Sequence, residues 1–373
     1  MTRIRRRTSP DALQAIDPPP TTELVAGVLL VTVLVEVLGV LSGSAVWLLG
    51  LLIFLPGTAS ALCTVAQTRF VAAWTTVVVL LTLLVRDRES GHWLDRVLLV
   101  LLTLALGSLS VYACHRRIKR EHEMLRLRST AAAMQRHILR PLPLLTDHVL
   151  VSGVYEPVQE ERLVGGDIYD VVASPWGTRI LIGDVQGKGL AAVGAAFAVI
   201  GAFREAAHRE PTLTALVDAL DASVVRHNSY AEQLGDDERF VTALVVSVDA
   251  GTETQFVNCG HIPPRLVHDG AVTAPALDSG VPLGLAALAA EPATVGWFDF
   301  PTGSTLLLTT DGLTETRAGD GRFYPVDERL RSLAGRSPSE LPKALYDDAR
   351  SFAGRAEQQD DVAVLSVRRS PHR

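Results

Sequence analysis

Apolar and polar positions divide the chain into three stretches of different rhythm. Between residues 24 and 114 there are four nearly unbroken apolar runs, Leu24–Leu41, Ala45–Leu62, Phe70–Val85 and Val97–Ala113. Each is near the roughly 17–25 residues that carry a helix across about 30 Å of hydrocarbon, so about four transmembrane helices are expected, the third run being the shortest. The rhythm changes over residues 115–143, HRRIKREHEMLRLRSTAAAMQRHILRPLP, where Met124, Leu125, Ala131, Met134, Ile138 and Leu139 recur at near-helical spacing in a charged background. This predicts a helix that leaves the last span and ends at Pro141 and Pro143. From Val149 onward, short apolar runs alternate with turn residues. Strands are expected over Val149–Tyr155, Asp167–Val172, Arg179–Asp184, Phe240–Val248, Thr254–Cys259, Pro264–His268, Thr305–Thr310 and Val362–Val367. Helical spacing covers Gly189–Ala207, Thr212–Asn228 and Ser339–Ala353. Antiparallel-type strands with helices inserted in pairs point to an α+β layered sandwich. The division that follows is a tail over 1–22, a membrane domain over 23–114, a helical linker over 115–144 and a catalytic domain over 145–373.

Composition sharpens this division. Of 373 residues 48% are hydrophobic, and the mean hydropathy of +0.24 is high for a soluble protein. The surplus is concentrated in residues 24–114 and so belongs to the spans. The net charge of −6 hides an asymmetry: residues 1–120 hold 12 Lys/Arg against 7 Asp/Glu, a balance of +5, which leaves −11 on the remainder. An acidic soluble part excludes nucleic acid as the partner, while the spans imply membrane lipid. Arg3, Arg5, Arg6 and Arg7 precede the first span, and Arg116, Arg117, Lys119 and Arg120 follow the last. Basic flanks mark the cytoplasmic side, which requires an even number of spans and puts the catalytic domain in the cytoplasm. The loop Arg86–Arg96 carries three Arg and three acids, so it is neutral. No small-residue cleavage site lies close enough to the first span to make it a removed signal peptide. Glu36, costly in lipid, is expected to face the bundle interior through an interhelical hydrogen bond. The linker's short heptad run allows pairing of two chains as a homodimer. Cys63, Cys114 and Cys259 show neither metal-type pairing nor a disulfide framework.

The chemistry lies in four acidic motifs: GGDIYD (165–170), GDVQGKG (183–189), LLLTTDGL (306–313) and QQDDVAVL (358–365). They bring Asp167, Asp184, Asp311, Asp360 and Asp361 to the ends of apolar runs. One such Asp is usually a cap or turn residue. Several, drawn from distant parts of the chain, build an oxygen-only cage for Mg²⁺ or Mn²⁺, and a pair of such ions drives water onto phosphorus. Gly165, Gly166, Gly183, Gly187, Gly189 and Gly312 around them permit tight turns and close backbone approach. Lys188 is either solvated or placed to meet a substrate phosphate. Asp170 and Glu315 are expected as structural partners, and Asp236 and Asp237 as a solvated loop. No GxGxxG or GxxxxGK[ST] fingerprint is present. Cys259 and Arg265 have the C-x₅-R spacing of cysteine phosphatases, but Pro263 and Pro264 remove two backbone donors that such a loop needs. Cys259 is therefore expected as a small buried residue, and His261 as a loop-fixing or substrate-side group.

Segment 150–368 resembles the SpoIIE-type serine/threonine phosphatases, a bacterial branch of the PPM (PP2C-like) phosphatases. The pieces that match are GGDIYD, GDVQGKGLAA (183–192), FVTALVV (240–246), NCGHIPP (258–264), LLLTTDGLTETR (306–317) and DDVAVL (360–365). The resemblance implies an αββα sandwich with two Mn²⁺ or Mg²⁺ ions between its sheets. It implies that Asp184 bridges the ions, that the Val185 carbonyl completes a shell, and that Asp167 acts largely through waters. Asp311 is implied as a direct ligand, as is one of the Asp360–Asp361 pair, with Asp360 favoured. Tyr324-Pro325 stands where many relatives have glycine, a departure confined to a peripheral loop. The function implied is a membrane-anchored phosphatase acting on phosphoserine or phosphothreonine of a cytoplasmic protein, such as an anti-sigma-factor antagonist. The alternative is an inactive membrane scaffold, or pseudophosphatase, against which the four intact acidic motifs count.

Overall fold

The computed structural model describes residues 19–42, 50–86, 93–157, 166–187, 190–354, 358 and 360–370. The chain divides into two units, Met1–Met124 and Leu125–Arg373.

The first unit is helical: α1 (Thr21–Ser42), α2 (Leu55–Leu62), α3 (Val65–Arg86) and α4 (Trp93–Ile138), which runs on into the second unit. Among the described residues, three helical stretches, Thr21–Leu41, Val65–Val85 and Trp93–Met124, are long and apolar enough to cross a membrane. The described part of the second apolar run forms a shorter apolar helix, Gly50–Leu62, interrupted by a turn at Ile53-Phe54. Its first residues, 45–49, lie outside the described residues, as do Arg3, Arg5, Arg6, Arg7 and most of the Arg86–Arg96 loop. The third run, expected to be shortest, sits in a 22-residue helix. A capping box extends it toward the N-terminus: the Thr64 hydroxyl accepts from the Gln67 backbone N–H, and the Gln67 side chain accepts from Thr64 N–H. The expected bond of Glu36 is found, with the Thr82 hydroxyl of α3 donating to Glu36 Oε1 at 2.7 Å. Val35, Leu52, Val79 and Leu83 pack inside, while Leu30, Leu41 and Leu84 are exposed, as lipid-facing residues of spanning helices are.

No helix boundary falls at residue 115. Between Gly107 and Pro141 there is neither proline nor glycine to stop the ladder, so the linker helix and the last span are one 46-residue helix.

The second unit holds two antiparallel sheets. One has the order β1 (Leu144–Leu145), β2 (Val149–Glu156), β11 (Val362–Arg369), β10 (Thr305–Thr309), β7 (Arg265–His268), β8 (Ala271–Thr273). The other has the order β3 (Asp167–Ser174), β4 (Gly177–Val185), β5 (Val241–Val248), β6 (Glu253–Cys259), β9 (Gly296–Asp299). Helices α5 (Leu190–Arg209) and α6 (Leu213–Leu234) cover the second sheet. Helices α8 (Val326–Leu333) and α9 (Leu341–Ala353) lie on the first. Strand period sorts the side chains. On β11, Ala363, Leu365 and Val367 enter the core between the sheets with Val149, Val151, Leu306 and Leu308. Val362 and Val364 point the other way, to Leu341, Leu345 and Ala349 of α9. Both faces are covered, which is why these strands read as continuous apolar runs rather than alternating ones. Helix α6 outlasts its expected end at Asn228 and stops at Gly235, which takes the left-handed conformation at φ 78°.

Candidate metal centre

Strands β3 and β4 pair with Asp167 opposite Asp184. Cross-strand partners share a face of the sheet, so two carboxylates project together at one end of the ladder. Gly166 lies against them: a Cβ there would sit 2.6 Å from Asp184 Oδ1 and 2.6 Å from the Val185 carbonyl oxygen, so only glycine fits. The other sheet supplies the remaining acids. After β10 the chain enters a one-turn helix, α7 (Asp311–Thr314), with Asp311 as its first residue. Gly312 is pressed onto the segment before β11, since a Cβ would meet the Asp361 carbonyl at 1.8 Å.

Thr310 joins the two sheets at this point. Its hydroxyl donates to Asp167 Oδ2 at 2.6 Å and accepts from Ala363 N–H at 2.9 Å, and its own N–H donates to the Ala363 carbonyl at 3.0 Å. Sequence reasoning passed over this residue, although a hydroxyl directly before the acid of TTDG was the available signal. His261 is a second tie. Its Nε2–H donates to the Thr309 carbonyl and Nδ1 accepts from Thr242, the residue opposite Asp184 on β5. Its backbone N–H donates to Asn258 Oδ1. Burial lowers the imidazole pKa to about 4, partly opposed by the Thr309 bond, so the ring is neutral at pH 7 and holds loops in place.

The acids act on one another. Asp167 is 2% exposed, and its pKa is raised well above the ordinary value, first by burial and next by the charge of Asp184. Asp361 and Asp311 add to the rise, while the Thr310 bond opposes it. Asp311 is raised by burial, then by Asp360 and Glu315. The adjacent Asp360 and Asp361 thus bear on different acids, with Asp361 buried and Asp360 half-buried. A buried group of like charges is unfavourable unless a cation compensates it. Carboxylates and one backbone carbonyl are the donors that hard divalent cations take. Asp167, Asp184, Asp311, Asp360, Asp361 and the Val185 carbonyl are the groups that could hold such ions. As placed, no three Asp, Glu, His or Cys side chains among the described residues lie close enough to hold one ion. The acids are gathered without being drawn to a common point.

Asp170 is held as a structural partner. Asp170 is fully buried; Arg204 Nε donates to Oδ2 at 2.5 Å, and Arg140 Nε lies 3.3 Å from Oδ1. Arg204 also donates to the Ile138 carbonyl. Asp236 and Asp237 are exposed. Cys259 is 3% exposed, and burial, with the charge of Asp221, pushes its thiol up to about 12. Such a thiol stays protonated, and Arg265 is engaged by Asp327 and the Pro263 carbonyl, so no cysteine nucleophile is assembled. Tyr324 is buried and donates to Asp348 at 2.7 Å. Gly165, Lys188 and Gly189 lie outside the described residues.

Comparison with known proteins gives one family match: the model for stage II sporulation protein E (SpoIIE) covers residues 174–370. No curated protein matches the chain. Among solved structures, the SiaA-PP2C domain of Pseudomonas aeruginosa is 20% identical with a TM-score of 0.54, covering 68% of this chain and 98% of its own. The RsbU and RsbW domains of Rv1364c from Mycobacterium tuberculosis are 24% identical with a TM-score of 0.50; the match spans 61% of this chain and 61% of the length of that one. The catalytic domain of the serine threonine protein phosphatase PstP, solved in complex with 2 manganese ions, is 18% identical with a TM-score of 0.45, over 60% of this chain and 99% of its own. The SiaA likeness shows that the second unit has a PP2C-type α+β fold.

Proposed function

This chain belongs to the SpoIIE family, and from that premise we propose that it is a membrane-anchored, metal-dependent protein serine/threonine phosphatase. Its substrate class is phosphoserine or phosphothreonine on a cytoplasmic regulatory protein, with an anti-sigma-factor antagonist as the type that the resemblance favours. The observation that most supports this is the cluster at the facing sheet ends. Asp167 and Asp184 come from one sheet, Asp311, Asp360 and Asp361 from the other, and Thr310 stitches them together.

In this reading two Mn²⁺ or Mg²⁺ ions are held by Asp184, the Val185 carbonyl, Asp311 and Asp360, with Asp167 and Asp361 supporting them. When bound, such ions acidify a water and neutralise charge on the phosphoryl oxygens. The chain's own work is to fix the acids. Thr310 orients Asp167, Gly166 admits the Asp184 carboxylate and the Val185 carbonyl beside the backbone, and Gly312 seats Asp311 against β11. The half-buried placement of Asp184, Asp311 and Asp360 leaves the cluster open to a phosphorylated side chain from solvent. In the same reading the apolar helices of the first unit are the anchor, the run that holds the shorter Gly50–Leu62 helix is the fourth span, both flanks lie on the cytoplasmic side, and the domains divide at 22, 114 and 144.

The test is phosphate release from a phosphoserine peptide by the full chain in lipid nanodiscs, with Mn²⁺ and with EDTA. Release that depends on Mn²⁺ supports the proposal. Metal-independent release overturns the mechanism. No release under either condition, with the peptide still bound, favours the scaffold reading.

A further inference from the structure

Beside the acid cluster, between α7 and α9, is a cavity of about 510 Å³. Its wall starts at Gly312 and Asp360 and continues over Glu315, Arg317, Tyr346 and Arg350. A pocket of this size lies in the range that encloses a small ligand or a few side chains. It carries charges of both signs: Glu315 and Asp360 are close enough to Asp311 for their charges to act on it, and Arg317 and Arg350 line the same cavity.

Neither arginine makes an ion pair among the described residues. Arg317 lies over the Phe323 ring, 4.2 Å from its centroid. Stacking occupies the face of a guanidinium and leaves its edge N–H donors available. Arg350 is exposed beside the Tyr346 hydroxyl. That hydroxyl donates to Gln358 Oε1 at 3.1 Å, and Gln358 Nε2 donates to the Asp360 carbonyl at 2.8 Å. One polar network thus connects the floor beneath Arg350 to the backbone of a candidate metal ligand.

Resting on the phosphatase reading above, we propose that this cavity is a specificity pocket. It receives an acidic side chain that flanks the phosphorylated serine or threonine, through Arg350 and Arg317. An extended peptide advances about 3.3–3.6 Å per residue. With the phosphorylated residue at the cluster, a side chain one to three positions away reaches the cavity. A carboxylate so placed meets two guanidiniums, whose forked donors match it in bidentate fashion. A lysine in the same position meets two like charges.

The test uses the full chain in lipid nanodiscs with Mn²⁺ and three substrates. These are p-nitrophenyl phosphate, a phosphoserine peptide with Glu at the three positions on each side, and the same peptide with Lys there. The wild type is expected to show a KM at least tenfold lower for the Glu peptide than for the Lys peptide. Arg350→Glu removes or reverses this preference and leaves kcat/KM for p-nitrophenyl phosphate within twofold. Arg350→Lys, which keeps the charge and loses the fork, falls between. Equal KM values for the two peptides in the wild type overturn the proposal. So does an Arg350→Glu variant that keeps the preference, or that loses p-nitrophenyl phosphate turnover in step with the peptides. A wild type that turns over none of the three substrates overturns the phosphatase reading itself, and the pocket assignment with it.

Discussion

The Thr310 hydroxyl donates to an acid on the opposite sheet and accepts from the strand beside it, so one small side chain sets the spacing of the cluster. Around it the acids serve chemistry more than packing. Asp311→Asn and Asp184→Asn are isosteric and remove a charge from a crowded group, so both variants should fold. Turnover should drop below about a tenth of wild type, a barrier increase above about 1.4 kcal/mol, with the far-ultraviolet circular dichroism unchanged. Activity above that level in either variant contradicts the metal mechanism. Cys259→Ala should keep most activity, because the thiol is buried, protonated and small; loss of turnover with the melting temperature unchanged would point to a thiolate instead. At this scale the sequence was informative where a charge stood out against an apolar run, as at Asp167 and Asp184. It was uninformative where the role depended on a distant partner. Nothing near Thr310 indicates that Asp167, 143 residues away, is its acceptor.

Close backbone approach controls the elements. Gly312 lets α7 rest on the chain before β11, and a methyl group there would overlap the Asp361 carbonyl. Gly312→Ala should therefore push α7 off its seat, with a loss of about 1–3 kcal/mol as for other overpacked sites. Activity should fall with it, because Asp311 and Asp361 move apart. A denaturant midpoint and a turnover rate equal to wild type would show the seat to be unimportant. The long strands were legible because two covered faces produce unbroken apolar runs. Short elements were not. Strand β8 has three residues at a sheet edge, and β9 carries an exposed Trp297 beside Phe298, which packs on Phe256 and Phe300. In α8 only Val326 and Leu330 are buried, one pair four residues apart in a charged octet. The helix expected to leave the last span does so without interruption, because the change in composition near residue 115, from lipid-compatible to charged, brings in no helix breaker.

At the scale of the whole molecule, charge and stability are both unevenly spread. The −11 balance beyond residue 120 raises the local concentration of divalent cations around the second unit, and the basic remainder suits anionic headgroups. Resistance to local opening is uneven too, since exposed or repelling segments open at lower cost than the core. The rung where Asp167 faces Asp184 is such a segment, pried at by its own charges. Three residues along the same strand, Asp170 is pinned by Arg204 and Arg140. Fraying should therefore start at the rung and stop at the pin. In hydrogen–deuterium exchange, amides of 166–168 and 183–185 should exchange faster in EDTA than in Mn²⁺, while those of 170–172 and 180–182 stay protected in both. An equal response along both strands would contradict this. If it holds, a few backbone amides report the ion content of the fold, and the strand end works as a loose thread that the ion ties down.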